Sequence, residues 1–158
     1  MQLRDTVALV TGGSEGIGCA IAKALTNEGC KVTVMGRRED AVRKTAEELG
    51  LDWVVGDVGN EADAARTVSS VIEKHGRLDI LVNAAGIVFD GTVEDTSLAD
   101  WRRMLAVNLD GTFFGCQAAV PAMERGGGGS IINVSSLAAL VGAANPQIAY
   151  TAAKGGVA

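Results

Sequence analysis

The run Tyr150-Thr151-Ala152-Ala153-Lys154 holds a phenol and an ammonium four residues apart, hence on one face of a helix. Tyr150 is the only tyrosine of the chain. A free phenol ionises near about pH 10, and an adjacent ammonium favours the phenolate, so such a pair can give and take a proton near neutrality. A chance surface pair is the bland alternative. A second feature, Thr11-Gly12-Gly13-Ser14-Glu15-Gly16-Ile17-Gly18, is suited to binding rather than reaction. Glycines 12, 16 and 18 allow a sharp turn, close approach to a pyrophosphate and tight packing of helix on strand, while a helix start offers N–H groups to an anion. The run has no lysine of the triphosphate-binding loop, which points to a dinucleotide.

Three further short runs could complete such a site. Val34-Met35-Gly36-Arg37-Arg38 puts glycine where an acid would bind a ribose 2′-hydroxyl, followed by two arginines suited to a 2′-phosphate. That favours NADP(H), with NAD(H) as the alternative because Glu15, Glu39 and Asp40 are acidic neighbours. Asp57-Val58 is placed for an adenine edge, and Asn83-Ala84-Ala85-Gly86 continues the rim, although both runs also suit ordinary turns.

These runs follow strands. Residues 6–11, 31–35, 51–55, 78–82 and 130–134 read as five apolar, β-rich strands. Between them, helical stripes begin near Ile17, Glu39, Ala65 and Ser97, and glycines 29, 50 and 76 close the first three. Ser97 with Asp100 resembles a capping box, and 108–124 reads as a helix that Pro121 kinks or ends early. Gly126 to Gly129 is a flexible loop, since no helix start follows it. Apolar strands alternating with amphipathic helices specify α/β architecture, a doubly wound parallel sheet flanked by helices. Such sheets bind ligands at the carboxyl ends of their strands, where the glycine turn and the three shorter runs lie.

Composition excludes other classes. The chain has 158 residues, which fits one domain, and 47% hydrophobic residues argue against disorder. A net charge of −5 leaves no basic face for nucleic acid. No apolar run is long enough for a membrane span and no signal peptide is evident, so a cytoplasmic protein is expected. Cys19, Cys30 and Cys116 lack metal-type spacing and read as buried, reduced thiols, and no metal site is expected. His75 sits before Gly76 at a helix end and reads as a surface residue rather than a ligand or base.

Taken together, the glycine turn, Asp57, Asn83 to Gly86, Asn108, Ser130 to Ser136 and Tyr150 to Lys154 resemble the short-chain dehydrogenase/reductase family, over 6–158. The resemblance implies a Rossmann-type fold and hydride transfer between a nicotinamide cofactor and a carbonyl or secondary alcohol. It implies Tyr150 as general acid or base, Lys154 as the group favouring its ionised form and binding the nicotinamide ribose, Ser136 as donor to the substrate oxygen, and Asn108 as holder of a water chain. Between Ser135 and Ser136, family spacing favours Ser136, and strand alternation would turn Ser135 away. The cofactor site would comprise Gly12, Ser14, Glu15, Gly16, Ile17, Gly18, Arg37, Arg38, Asp57, Val58, Asn83, Ala84 and Gly86, together with Tyr150 and Lys154. A homodimer or homotetramer of the full-length protein is also implied.

The family usually runs to about 250 residues, so residues 1–158 are expected to form a single dinucleotide-binding domain whose C-terminal strands are missing. Three readings follow: the N-terminal part of an oxidoreductase, a short nucleotide- or partner-binding chain without catalysis, or a catalyst completed by a second chain. Retention of Tyr150, Lys154, Ser136 and Asn108 favours the first, because a binding-only chain has no need of a proton-relay set.

Overall fold

The computed structural model of the chain describes residues 3–142 and 144–158; Met1, Gln2 and Ala143 of the expected domain lie outside them. Five strands form one parallel sheet: β1 Val7–Thr11, β2 Lys31–Gly36, β3 Asp52–Val55, β4 Ile80–Asn83 and β5 Ser130–Asn133. Their order is β3-β2-β1-β4-β5, so the chain winds outward in both directions from β1 and the order reverses beside it. That reversal leaves a crevice at the carboxyl ends of β1 and β4, the general ligand position of open α/β sheets.

The helices cover both faces. They are α1 Gly16–Asn27, α2 Glu39–Leu49, α3 Glu61–His75, α4 Leu98–Leu105, α5 Gly111–Arg125, α6 Ala138–Val141 and α7 Ile148–Val157. Strand alternation divides the core. Val7 and Leu9 of β1 point to one face, with Val68 and Val71 of α3 and Ala119 and Met123 of α5. Ala8 and Val10 point to the other, with Ala22 of α1 and Val42 and Ala46 of α2. Each fully buried Val or Leu contributes about 1.5–3 kcal/mol relative to exposure, so the two layers hold the crevice walls firmly. A third cluster packs Met104 of α4 against Ala149 and Ala153 of α7, with Tyr150 at its edge.

Local signals explain most boundaries. Gly50 and Gly76 adopt left-handed conformations (φ 67° and 79°) that close α2 and α3. Ser97 caps α4, its Oγ accepting from the Asp100 N–H at 3.0 Å.

Three expectations need correction. Pro121 does not end its helix: α5 runs on to Arg125. Pro121 and Gln117, whose carbonyl loses its helical donor, are both exposed, so water can satisfy that carbonyl. His75 is not a surface residue; its Nε2 lies 2.8 Å from Asp52 Oδ2 and its side chain is only 11% exposed. Of the cysteines only Cys30 is buried, while Cys19 and Cys116 are half-buried, and all three are free. No helix among the described residues is long and apolar enough to cross a membrane.

Candidate active site

A cavity of about 520 Å³ opens at the crevice. The β1–α1 turn forms its floor. Gly12 has φ 67°, and a Cβ there would stand 2.6 Å from Ala85 Cα, so only glycine lets β1 and the residues after β4 approach so closely. Gly16 has φ 57° and open space where its Cβ would be, whereas a Cβ on Gly18 would overlap the Gly12 carbonyl. α1 then starts at Gly16 with no side-chain cap at Glu15, leaving first-turn N–H groups available to an anion. Ser14, Glu15 and Ile17 also line the cavity.

Beside this turn, β2 ends at Gly36, with Arg37 and Arg38 on the wall. Arg38 donates to Glu15 Oε2 at 2.9 Å, and Arg37 lies 3.9 Å from Asp57 Oδ2. After β3 the wall is built by Gly56 and Val58. Asp57 itself is not among the lining residues: its Oδ1 accepts from the Gly59 N–H at 2.9 Å, which ties it to the turn.

Asn83 is likewise absent from the wall. It is buried behind it, where its Nδ2 donates to Asn133 Oδ1 at 2.9 Å across the β4–β5 pair. Its Oδ1 has no hydrogen-bond partner among the described residues and faces Gly115 of α5, where a Cβ would overlap it. Strand alternation turns Asn83 inward, and the chain leaves β4 with Ala84, Ala85 and Gly86 on the wall.

The opposite wall carries the reactive groups. A single π turn, Ala106–Asp110, interrupts the continuous run of α4 and α5, and Asn108 sits within it, fully buried. Such turns recur at functional sites, and no periodicity in the sequence announces one. The Asn108 amide is committed to main chain: Nδ2 donates to the carbonyls of Ile87 at 2.9 Å and Met104 at 3.0 Å, and Oδ1 accepts from Ile87 N–H at 3.2 Å. It therefore pins the segment after β4. A Cβ on Gly86 would stand 2.9 Å from Asn108 Oδ1 and 3.8 Å from Lys154 Nζ, so glycine here lets three predicted residues converge.

Tyr150 and Lys154 both line this wall from α7. The start of α7 is tied to the loop after β4, because Gly91 N–H donates to the Pro146 carbonyl at 2.7 Å. Lys154 is buried, and its Nζ donates to the Val134 carbonyl at 2.7 Å. Burial pulls the Lys154 ammonium below the usual lysine range.

The two serines are arranged differently from the expectation. Ser135, not Ser136, is on the wall, and its Oγ donates to the Lys154 carbonyl at 2.9 Å. The alternation argument fails because β5 ends at Asn133, two residues before Ser135. Ser136 is not among the lining residues; its Oγ accepts from the Ala138 N–H at 3.2 Å. Ile87, Val88 and Val107 also line the cavity and escaped the sequence reading. Each is an apolar residue with no chemical signature, placed only by its position next to a strand end or the π turn.

The family model described as short chain dehydrogenase matches residues 6–158. The chain belongs to the short-chain dehydrogenase family. Among its relatives, the NADP-dependent (R)-specific alcohol dehydrogenase of Lentilactobacillus kefiri is 41% identical over 162 residues, which cover 99% of this chain and 64% of the relative. The D-threitol dehydrogenase of Mycolicibacterium smegmatis is 40% identical over 161 residues, covering 99% and 62%. The solved crystal structure of gox2181 superposes with a TM-score of 0.95 at 36% identity, covering 99% of this chain and 64% of that one. The doubly wound sheet thus agrees in sequence and in space with this family. The chain spans less than two thirds of the length of these relatives.

Proposed function

We propose that the chain forms the dinucleotide-binding, catalysis-bearing domain of an oxidoreductase that transfers hydride between NADP(H) and a carbonyl or secondary alcohol. The single observation carrying this reading is that Tyr150 and Lys154 line the same cavity as the glycine turn and Arg37 and Arg38. The residues fit a dinucleotide. The floor is backbone that glycine leaves bare at Gly12 and Gly16, α1 begins there uncapped, and the volume lies within the ~300–1,000 Å³ of small-molecule sites.

In this mechanism a bound nicotinamide supplies or accepts the hydride. The Tyr150 hydroxyl donates a proton to the oxygen of a carbonyl under reduction and takes it back from an alcohol under oxidation. Lys154, held by Val134, lines the same wall as Tyr150 and is the cation available there to bind the nicotinamide ribose. Ser136 accepts one bond from Ala138 and keeps its own hydrogen to donate to the substrate oxygen. Asn108 fixes the Ile87 segment, and with it the rim after β4.

Two features support NADP(H). Two arginines occupy the wall beyond β2, and the L. kefiri relative is named NADP-dependent. NAD(H) remains the alternative because carboxylates of Glu15 and Asp57 already engage those arginines. The decisive experiment follows nicotinamide absorbance with a panel of ketones and secondary alcohols in the intact protein and in Tyr150→Phe. Turnover falls by about a hundredfold or more in the variant while NADPH binding stays within about threefold. Normal turnover in Tyr150→Phe overturns the catalytic assignment.

A further inference from the structure

Val134 and Ser135 grip one lysine from its two ends. The Val134 carbonyl accepts from Lys154 Nζ at 2.7 Å, and the Ser135 hydroxyl donates to the Lys154 carbonyl at 2.9 Å. The loop that does this is itself fixed, because the Val134 N–H donates to the Asn83 carbonyl at 3.0 Å and so extends the sheet ladder one bond past β5.

The helix side needs such a tie. α7 has 10 residues, fewer than the 12–15 or so at which an isolated helix is even marginal, and Lys154 is followed by Gly155 and Gly156, which are poor helix formers. Within the helix the Lys154 carbonyl accepts from the Ala158 N–H at 3.2 Å, a long bond at the last turn. The Ser135 hydroxyl meets that same carbonyl from outside. A flexible lysine stem then has both its root and its tip bonded to consecutive residues of one loop.

We propose that Ser135 is a positioning residue for Lys154: its hydroxyl fixes the lysine backbone while the neighbouring Val134 carbonyl holds the ammonium, so one loop sets where that charge stands in the cavity. The catalytic consequence rests on the oxidoreductase reading above, and the geometric one does not.

Two measurements on the intact protein keep them apart. Amine-reactive labelling, read by peptide mass spectrometry, compares Lys154 with the exposed Lys23, Lys31, Lys44 and Lys74 as internal controls. In Ser135→Ala, Lys154 is labelled about five- to tenfold faster while the controls are unchanged, and Ser135→Thr, which keeps the hydroxyl, restores protection. In turnover, kcat of Ser135→Ala falls about tenfold with the alcohol KM within about twofold, and Ser135→Thr recovers most of the loss. Should Ser135→Ala not fold, Ser135→Cys keeps the volume with a weaker donor and gives the same comparison. Unchanged Lys154 labelling in a folded Ala or Cys variant overturns the proposal, as does equal deprotection by Thr. Changed labelling in a protein whose wild type turns over no substrate upholds the positioning and overturns the oxidoreductase reading.

Discussion

The Arg38 guanidinium donates to the Glu15 carboxylate at 2.9 Å across the mouth of the cavity, joining the residue that precedes α2 to the residue that precedes α1. Both side chains are exposed, so the pair adds little to stability. Its consequence lies in binding. A 2′-phosphate that seeks Arg38 meets a carboxylate already there, which competes for the cation and repels the anion.

Glu15→Gln is therefore expected to tighten NADPH binding by about three- to tenfold at low salt and to leave NADH nearly unchanged, with the gain shrinking as ionic strength rises. Fluorescence titration of both cofactors across a salt series provides the measurement. An equal gain for NADH would place the effect at the pyrophosphate instead.

Arg37 faces a looser partner, with Asp57 at 3.9 Å, and so has more capacity left for a phosphate. Arg37→Ala is expected to weaken NADPH by about tenfold or more and NADH by no more than about twofold. Equal losses for the two cofactors would show that no phosphate sits beside Arg37.

How much of this was legible in the sequence depended on whether a residue's role was local. The β1–α1 turn, the caps at Ser97, Gly50 and Gly76 and the parallel order of strands and helices all follow from short-range chemistry, and the structure has them where spacing put them. Asn83, Asp57 and Ser135 are different. Their types fit a site, yet what each side chain does depends on groups far away in sequence: Asn133 and Gly115 for Asn83, Arg37 for Asp57, and Lys154 for Ser135. The π turn at Asn108 is also invisible to a 3.6-residue period, because one wider turn changes which residues face inward without changing composition.

The glycine turn offers a test of packing against conformation. Gly16 and Gly18 stand two residues apart, but only Gly16 has a left-handed φ, 57°, and only Gly18 is packed against the Gly12 carbonyl. Gly16→Ala should cost about 1–2 kcal/mol for the strained backbone. Gly18→Ala should cost about 1–3 kcal/mol or more, because backbone must move, and should also abolish cofactor binding as the turn opens. Urea denaturation together with NADPH titration separates them: Gly16→Ala keeps measurable binding, and a Gly18→Ala protein as stable as wild type would show that the close approach is not needed.

At the other end of the sheet, Asp79 shows how acid should unfold the chain. Its side chain is 8% exposed; Oδ2 accepts from the Val7 N–H at 2.9 Å, and Arg77 Nε donates to the same oxygen at 2.9 Å. The Asp79 carbonyl also accepts from the Ser130 N–H at 2.8 Å, so one residue bonds β1 and β5 to β4. Burial pushes the Asp79 carboxyl up, but the Arg77 hydrogen bond, the Val7 N–H and the Arg77 charge together outweigh it and hold the group below its usual 3.8. A carboxyl lowered by folding contributes stability that is fully present above its unfolded value and is lost as pH falls through the folded one. Stability should thus be level from neutrality down to about pH 5 and fall below about pH 4. Asp79→Asn keeps an acceptor but loses the charge, and is expected to cost about 1–3 kcal/mol at pH 7. Because protonated Asp79 has also lost that charge, the gap between wild type and variant should narrow as pH drops below about 4. A gap that stays constant across urea titrations from pH 7 to about pH 3 would show that the Asp79 charge is not what ties these strands together.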